Sequence, residues 1–141
     1  MGISPIHAMQ IAERLYTQGY ISYPRTETSQ YPSNFDLRQV LSQQTKSSAW
    51  GALAKSLLDG AMEHPRKGTD QGDHPPITPT AYATQEELGG DAYFIATVFS
   101  CRMFLFWDSS GSSFLFEVLK KHKCFHPNFT RSIIPISSMV K

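Results

Sequence analysis

Apolar residues at Ala8, Ile11, Ala12 and Leu15 recur at the three- and four-residue spacing of one helix face. Ser4 can cap free backbone N–H groups ahead of them, Pro5 suits the first helical position, and Gly19 stands where such a helix would end. Tyr20, Ile21, Ser22 and Tyr23 then read as a short strand, stopped by Pro24, which has no N–H for a ladder bond. A second helix is predicted over residues 33–44. A third is predicted through Trp50, Leu53, Ala54, Leu57 and Leu58, ahead of Gly60. Residues 63–79, EHPRKGTDQGDHPPITP, turn polar and rich in proline and glycine, which predicts a loop.

These elements predict a mainly α chain with some α+β character. The succession of helix, tight turn and strand is compatible with a winged-helix-like unit carrying Tyr23. A length of 141 residues, with 40% hydrophobic and 18% charged, suits one modest folded core. No run reaches the about 18 apolar residues of a membrane span, and Pro5, His7 and Gln10 interrupt any signal-like start, so no membrane association is expected and the default is an intracellular protein. Cys101 and Cys124 are far apart and form no C-x-x-C pair, which supports neither a zinc site nor a disulfide framework. The net charge of +1 conceals an asymmetry: residues 1–98 carry seven basic against ten acidic side chains, whereas residues 99–141 carry six against two. A stand-alone nucleic-acid binder draws most of its affinity from a basic surface, which the first segment lacks.

The stretch GYISYPRTET, residues 19–28, holds a phenol and a guanidinium two positions apart, at Tyr23 and Arg25. A tyrosine oxygen suits reversible attack on a phosphodiester, but a phenol with a reference pKa of about 10 needs a positive or proton-accepting neighbour. An arginine offers fixed charge and a planar donor fork for the phosphate oxygens. Pro24 stiffens the backbone between the two. Spacing alone equally suits a packed ring beside a surface charge.

The longer pattern resembles a known family. AERLYTQGYISYPRTET, the Tyr31–Pro32 pair, HPRKGTDQGDHPPITPT and ELGGDA together look like the active-site region of type IA DNA topoisomerases, over residues 2–92. Within that family they are most similar to the eukaryotic topoisomerase III group, and the DHPPITP wording to its beta branch. The resemblance implies that Tyr23 is the nucleophile of a 5′-phosphotyrosine intermediate and that Arg25 positions the scissile phosphate. It also implies that Thr26 and His74 lie at the nucleic acid, with Asp73 able to orient the His74 ring. Glu27 fits the pattern without an assigned role, and Asp70 with Asp73 is not expected to make a metal pair.

Members of the family bind Mg²⁺ through an acidic cluster in a Toprim domain, which this sequence does not contain. The resemblance therefore implies a topoisomerase fragment with no metal ligands of its own, inactive alone. Single-stranded DNA, or RNA, is the implied substrate, a Tudor-domain protein the implied partner of the longer parent, and the nucleus, with the cytoplasm as a second place, its location. The rival readings are a non-catalytic module that docks single strands or another protein, and a gene-model fragment without function.

After Ala92 about ten residues of the family pattern are missing, and residues 99–141 match nothing familiar. A boundary is therefore expected at 98/99, between a partial topoisomerase domain and an unrelated, poorly ordered tail. That tail reads either as a frameshifted or mis-spliced product or as a hairpin of RMFLFW and SFLFEVL around DSSGSS, with KKHK binding phosphates.

Overall fold

In the computed structural model of the chain, residues 3–60 and 68–107 are described. Five helices occur among them: α1 (Pro5–Thr17), α2 (Leu37–Gln44), α3 (Gly51–Asp59), α4 (Gln85–Leu88) and α5 (Gly90–Trp107). The mainly α reading holds. The strand expected over 20–23 is reduced, among the described residues, to one antiparallel bridge between Ile21 and Pro79.

α1 forms as its sequence predicts. The Ser4 hydroxyl accepts the His7 N–H, Pro5 opens the first turn, and Ala8, Ile11, Ala12 and Leu15 are buried. At the other end Gly19 takes a φ of +83°, its N–H reaches the Tyr16 carbonyl and the Tyr20 N–H reaches that of Leu15. This paired Schellman closure needs a left-handed residue, the reason a glycine stands there. It also sends the chain back past the last turn of α1, bringing Tyr23 to that turn.

α2 begins four residues later than the sequence predicts. Asp36 caps it by accepting the Gln39 N–H, and a turn closed by the Phe35 N–H on the Pro32 carbonyl occupies the preceding residues. α3 follows after a tight connection, where a Cβ on Gly51 would run into the Thr45 carbonyl. α4 carries a capping box: the Thr84 hydroxyl accepts the Glu87 N–H while the Glu87 carboxylate accepts the Thr84 N–H.

Two apolar clusters make the core, and α5 belongs to both. Ala92, Ile95 and Phe99 from its first half pack with Ala8, Ile11, Ala12 and Leu15 of α1 and with Ile21. Cys101, Met103 and Phe104 from its second half pack with Val40 and Leu41 of α2 and with Trp50 and Ala54 at α3. A helix apolar on several sides shows no amphipathic period, which is why the pattern did not announce it. α5 runs unbroken through Val98 and Phe99, and RMFLFW lies in it as helix, which removes the hairpin reading for that half of the tail. SFLFEVL, KKHK and Cys124 lie outside the described residues, as does the first part of the 63–79 loop.

Candidate active site

Tyr23 sits where two irregular segments, 19–29 and 68–80, run antiparallel. The Thr80 N–H reaches the Tyr20 carbonyl, the Ser22 N–H reaches the Thr78 carbonyl, and the Ser29 N–H reaches the Thr69 carbonyl, all at 2.8–2.9 Å. Side chains supply the bonds that a regular ladder would have made. The Ser22 hydroxyl accepts the Thr78 N–H at 2.8 Å and donates to the Pro76 carbonyl at 3.2 Å. The Thr26 hydroxyl donates to the His74 carbonyl at 2.5 Å, and Thr28 accepts the Gln71 N–H at 3.2 Å. Pro24, Pro75, Pro76 and Pro79 carry no N–H, so a sheet could not have closed here.

This ribbon is anchored on its inner side. Thr78 is fully buried, shares a 2.8 Å hydrogen bond with the Tyr31 hydroxyl, and donates to the Pro76 carbonyl at 2.7 Å. Buried polar groups of this kind hold register when they are satisfied.

The half-buried Tyr23 ring meets two neighbours. Tyr16, on the last turn of α1, stands edge-on at a centroid distance of 5.3 Å, and His74 lies tilted at 4.4 Å. The structure thus brings the expected Tyr23 and His74 together although they are far apart in sequence. The His74 side chain keeps half its surface in water, with Nε2 3.9 Å from Asp73. Thr26 is beside them, but its hydroxyl is committed to the His74 carbonyl, so it shapes the loop that carries the imidazole.

The Arg25 guanidinium, read from the sequence as a donor fork for phosphate oxygens, is paired with α1 in this structure. Its Nε donates to Glu13 Oε1 at 2.8 Å, and its Nη2 engages the same oxygen. Pro24, between Tyr23 and Arg25, is buried. Glu27 is exposed.

Sequence reasoning missed Glu13, Tyr16, Ser22 and Thr78. Glu13 and Tyr16 lie off the Ala8–Leu15 apolar face, one turn apart, so a helical projection would have set them side by side. Nothing in the local pattern of Ser22 or Thr78 signals their partnership. Asp70 accepts the Gly72 N–H, and among the described residues no three His, Cys, Asp or Glu side chains come together in a group that could hold a metal. No helix of the described residues is long and apolar enough to cross a membrane.

Comparison with known proteins gives a consistent pattern. The family model described as DNA topoisomerase matches residues 1–105. DNA topoisomerase 3-beta-1 of Mus musculus is 59% identical over 107 residues, covering 70% of this chain and 12% of the mouse protein. DNA topoisomerase 3-beta of Drosophila melanogaster is 54% identical over 105 residues, covering 74% of this chain and 12% of its own length. DNA topoisomerase 3-alpha of Homo sapiens is 50% identical over 91 residues, covering 63% of this chain and 9% of its own length. The chain therefore spans only a small part of the curated relatives it matches.

Proposed function

The chain belongs to the DNA topoisomerase family, as a type IA member of the topoisomerase III beta kind, and from that premise we propose that Tyr23 is its strand-cleaving nucleophile. The observation that carries the reading is the setting of the phenol. It is half-buried, flanked by Tyr16 and His74, and mounted on a ribbon whose register is held by Ser22 and Thr78. A nucleophile held this way loses little freedom on reaching its target.

In the proposed step the phenol oxygen attacks a backbone phosphorus of a single strand. The bond from phosphorus to the 3′ oxygen breaks, the phenol proton is given up, and the departing 3′ oxygen takes up a proton. The 5′ phosphate remains on Tyr23 as an ester. One phosphorus–oxygen bond replaces another, so the reverse attack by the 3′ hydroxyl reseals the strand without an external energy source. Arg25 supports the charge gathered on the phosphate oxygens, and the exposed His74 imidazole donates to the same group. Thr26 contributes through the loop that holds His74.

Single-stranded DNA is the proposed substrate, with RNA as a second polymer bearing the same reactive group. By the family resemblance, Mg²⁺ is proposed as the ion of the longer protein, held by residues outside this chain. A Tudor-domain partner and a nuclear location, extending to the cytoplasm, belong to the same proposal for the longer protein. So does the expectation that this chain alone does not turn over.

Replacing the matched span of the mouse relative with residues 1–105 tests the assignment. A labelled single-stranded oligonucleotide should form a covalent adduct with the chimera, and Tyr23→Phe should abolish it. An adduct that survives Tyr23→Phe would assign the nucleophile elsewhere. The isolated chain should leave negatively supercoiled plasmid unrelaxed in the presence of Mg²⁺.

A further inference from the structure

We propose that Glu13 is a positioning residue for Arg25: its carboxylate occupies the guanidinium fork while no nucleic acid is bound and yields it to a phosphate arriving beside Tyr23. This rests on the reading of Tyr23 and Arg25 given above. The geometry supplies the first argument. Nε and Nη2, the edge of the guanidinium that would take two phosphate oxygens, both converge on Glu13 Oε1. The carboxylate therefore stands where an anion is to be received.

Exposure supplies the second. The Arg25 side chain keeps 60% of its surface in water and that of Glu13 keeps 43%. Among the described residues neither side chain makes another hydrogen bond. An ion pair this wet contributes little to stability, so it is poorly explained as a staple and is readily exchanged. An arriving phosphate offers the same charge with better geometry, and Arg25 never passes through an unpaired state.

The third argument is register. Tyr23 and Arg25 flank the bend at Pro24, and both side chains meet α1. Glu13 and Tyr16 stand one turn apart on α1, and each holds one of that pair: Tyr16 meets the Tyr23 ring and Glu13 the Arg25 fork. A single helical turn thereby sets the spacing between nucleophile and guanidinium before any strand binds. It does so at the cost of a negative charge beside the phosphate path.

The test uses the full chain and a short fluorescent oligothymidylate, read by anisotropy at several salt concentrations. Glu13→Gln should tighten binding, by about fivefold at low salt for a displaced surface pair, and Arg25→Gln should weaken it. In the Arg25→Gln background the Glu13→Gln gain should vanish. An equal gain in that background would overturn the proposal, because it would show bulk charge acting without Arg25. So would the absence of any gain, or of binding by any variant. The ¹⁵N-detected Arg25 Nε–H resonance gives a second readout, expected to shift on Glu13→Gln and again on adding oligothymidylate to the unsubstituted chain; a resonance that ignores both refutes the pairing. Tyr23→Phe should leave this coupling intact. Coupling lost with the chimera's adduct retained defeats only the role of Glu13, and the converse defeats only the nucleophile assignment.

Discussion

The α2–α3 hairpin and the ribbon that carries Tyr23 hold their shapes by different means. Val40, Leu41, Trp50 and Ala54 close the hairpin by apolar burial against Cys101, Met103 and Phe104, with polar ties from the Trp50 indole to Gln44 Oε1 at 3.0 Å and from Arg38 to the Leu58 carbonyl at 2.9 Å. The ribbon buries Ile21, Pro24, Thr28, Pro76, Thr78 and Pro79, but its two segments are joined through hydroxyls and backbone groups, with four prolines denying it a ladder. Apolar burial is strong and undirected, whereas hydrogen bonds are individually weak and fix direction. The part with candidate chemistry is built from the directional material.

Substitutions should divide along that line. The largest loss is expected from Trp50→Ala, about 3–5 kcal/mol for an emptied aromatic site, read as a lower urea midpoint. A loss much below that would mean the hairpin is held by something other than its apolar cluster. Thr78→Val should cost about 1–3 kcal/mol, since it keeps the shape but strands the partners of a buried hydroxyl. It should also separate His74 from Tyr23, visible as a loss of ring-current shifts on the imidazole protons. Unchanged shifts would show that the register is set elsewhere.

Gly19→Ala should cost about 1 kcal/mol. Open space surrounds that position, so the penalty is purely conformational. Smallest of all, Tyr23→Phe should change stability by no more than about 0.5 kcal/mol while removing the adduct. A large destabilisation there would make the phenol a structural group.

The same division decided what could be read from the chain. α1, its caps, α3 and most of α2 follow from apolar spacing and capping residues, because helix formation is written locally. The Asp36 cap of α2 and the Thr84-x-x-Glu87 box of α4 are local signals as well, but neither entered the sequence expectation. α5 carried no usable period, but its apolar run without proline or internal glycine after Gly90 exceeds the ordinary length of a strand. Tyr23, Arg25 and His74 were singled out because the longer pattern carried them. Their environment was not legible: the Tyr16 edge, the Glu13 carboxylate and the Ser22–Thr78 exchange depend on contacts between distant positions, which leave no mark on local spacing.

α5 has one further consequence. It is a rod with an end sunk in each cluster, and from Asp91 to Trp107 it holds neither proline nor glycine at which to bend. Tilting the helices at Trp50 would carry Ile95 and Phe99 with them, and so disturb the seat of Ile21 two residues from the nucleophile. The described part of the chain should thus travel as one stiff piece.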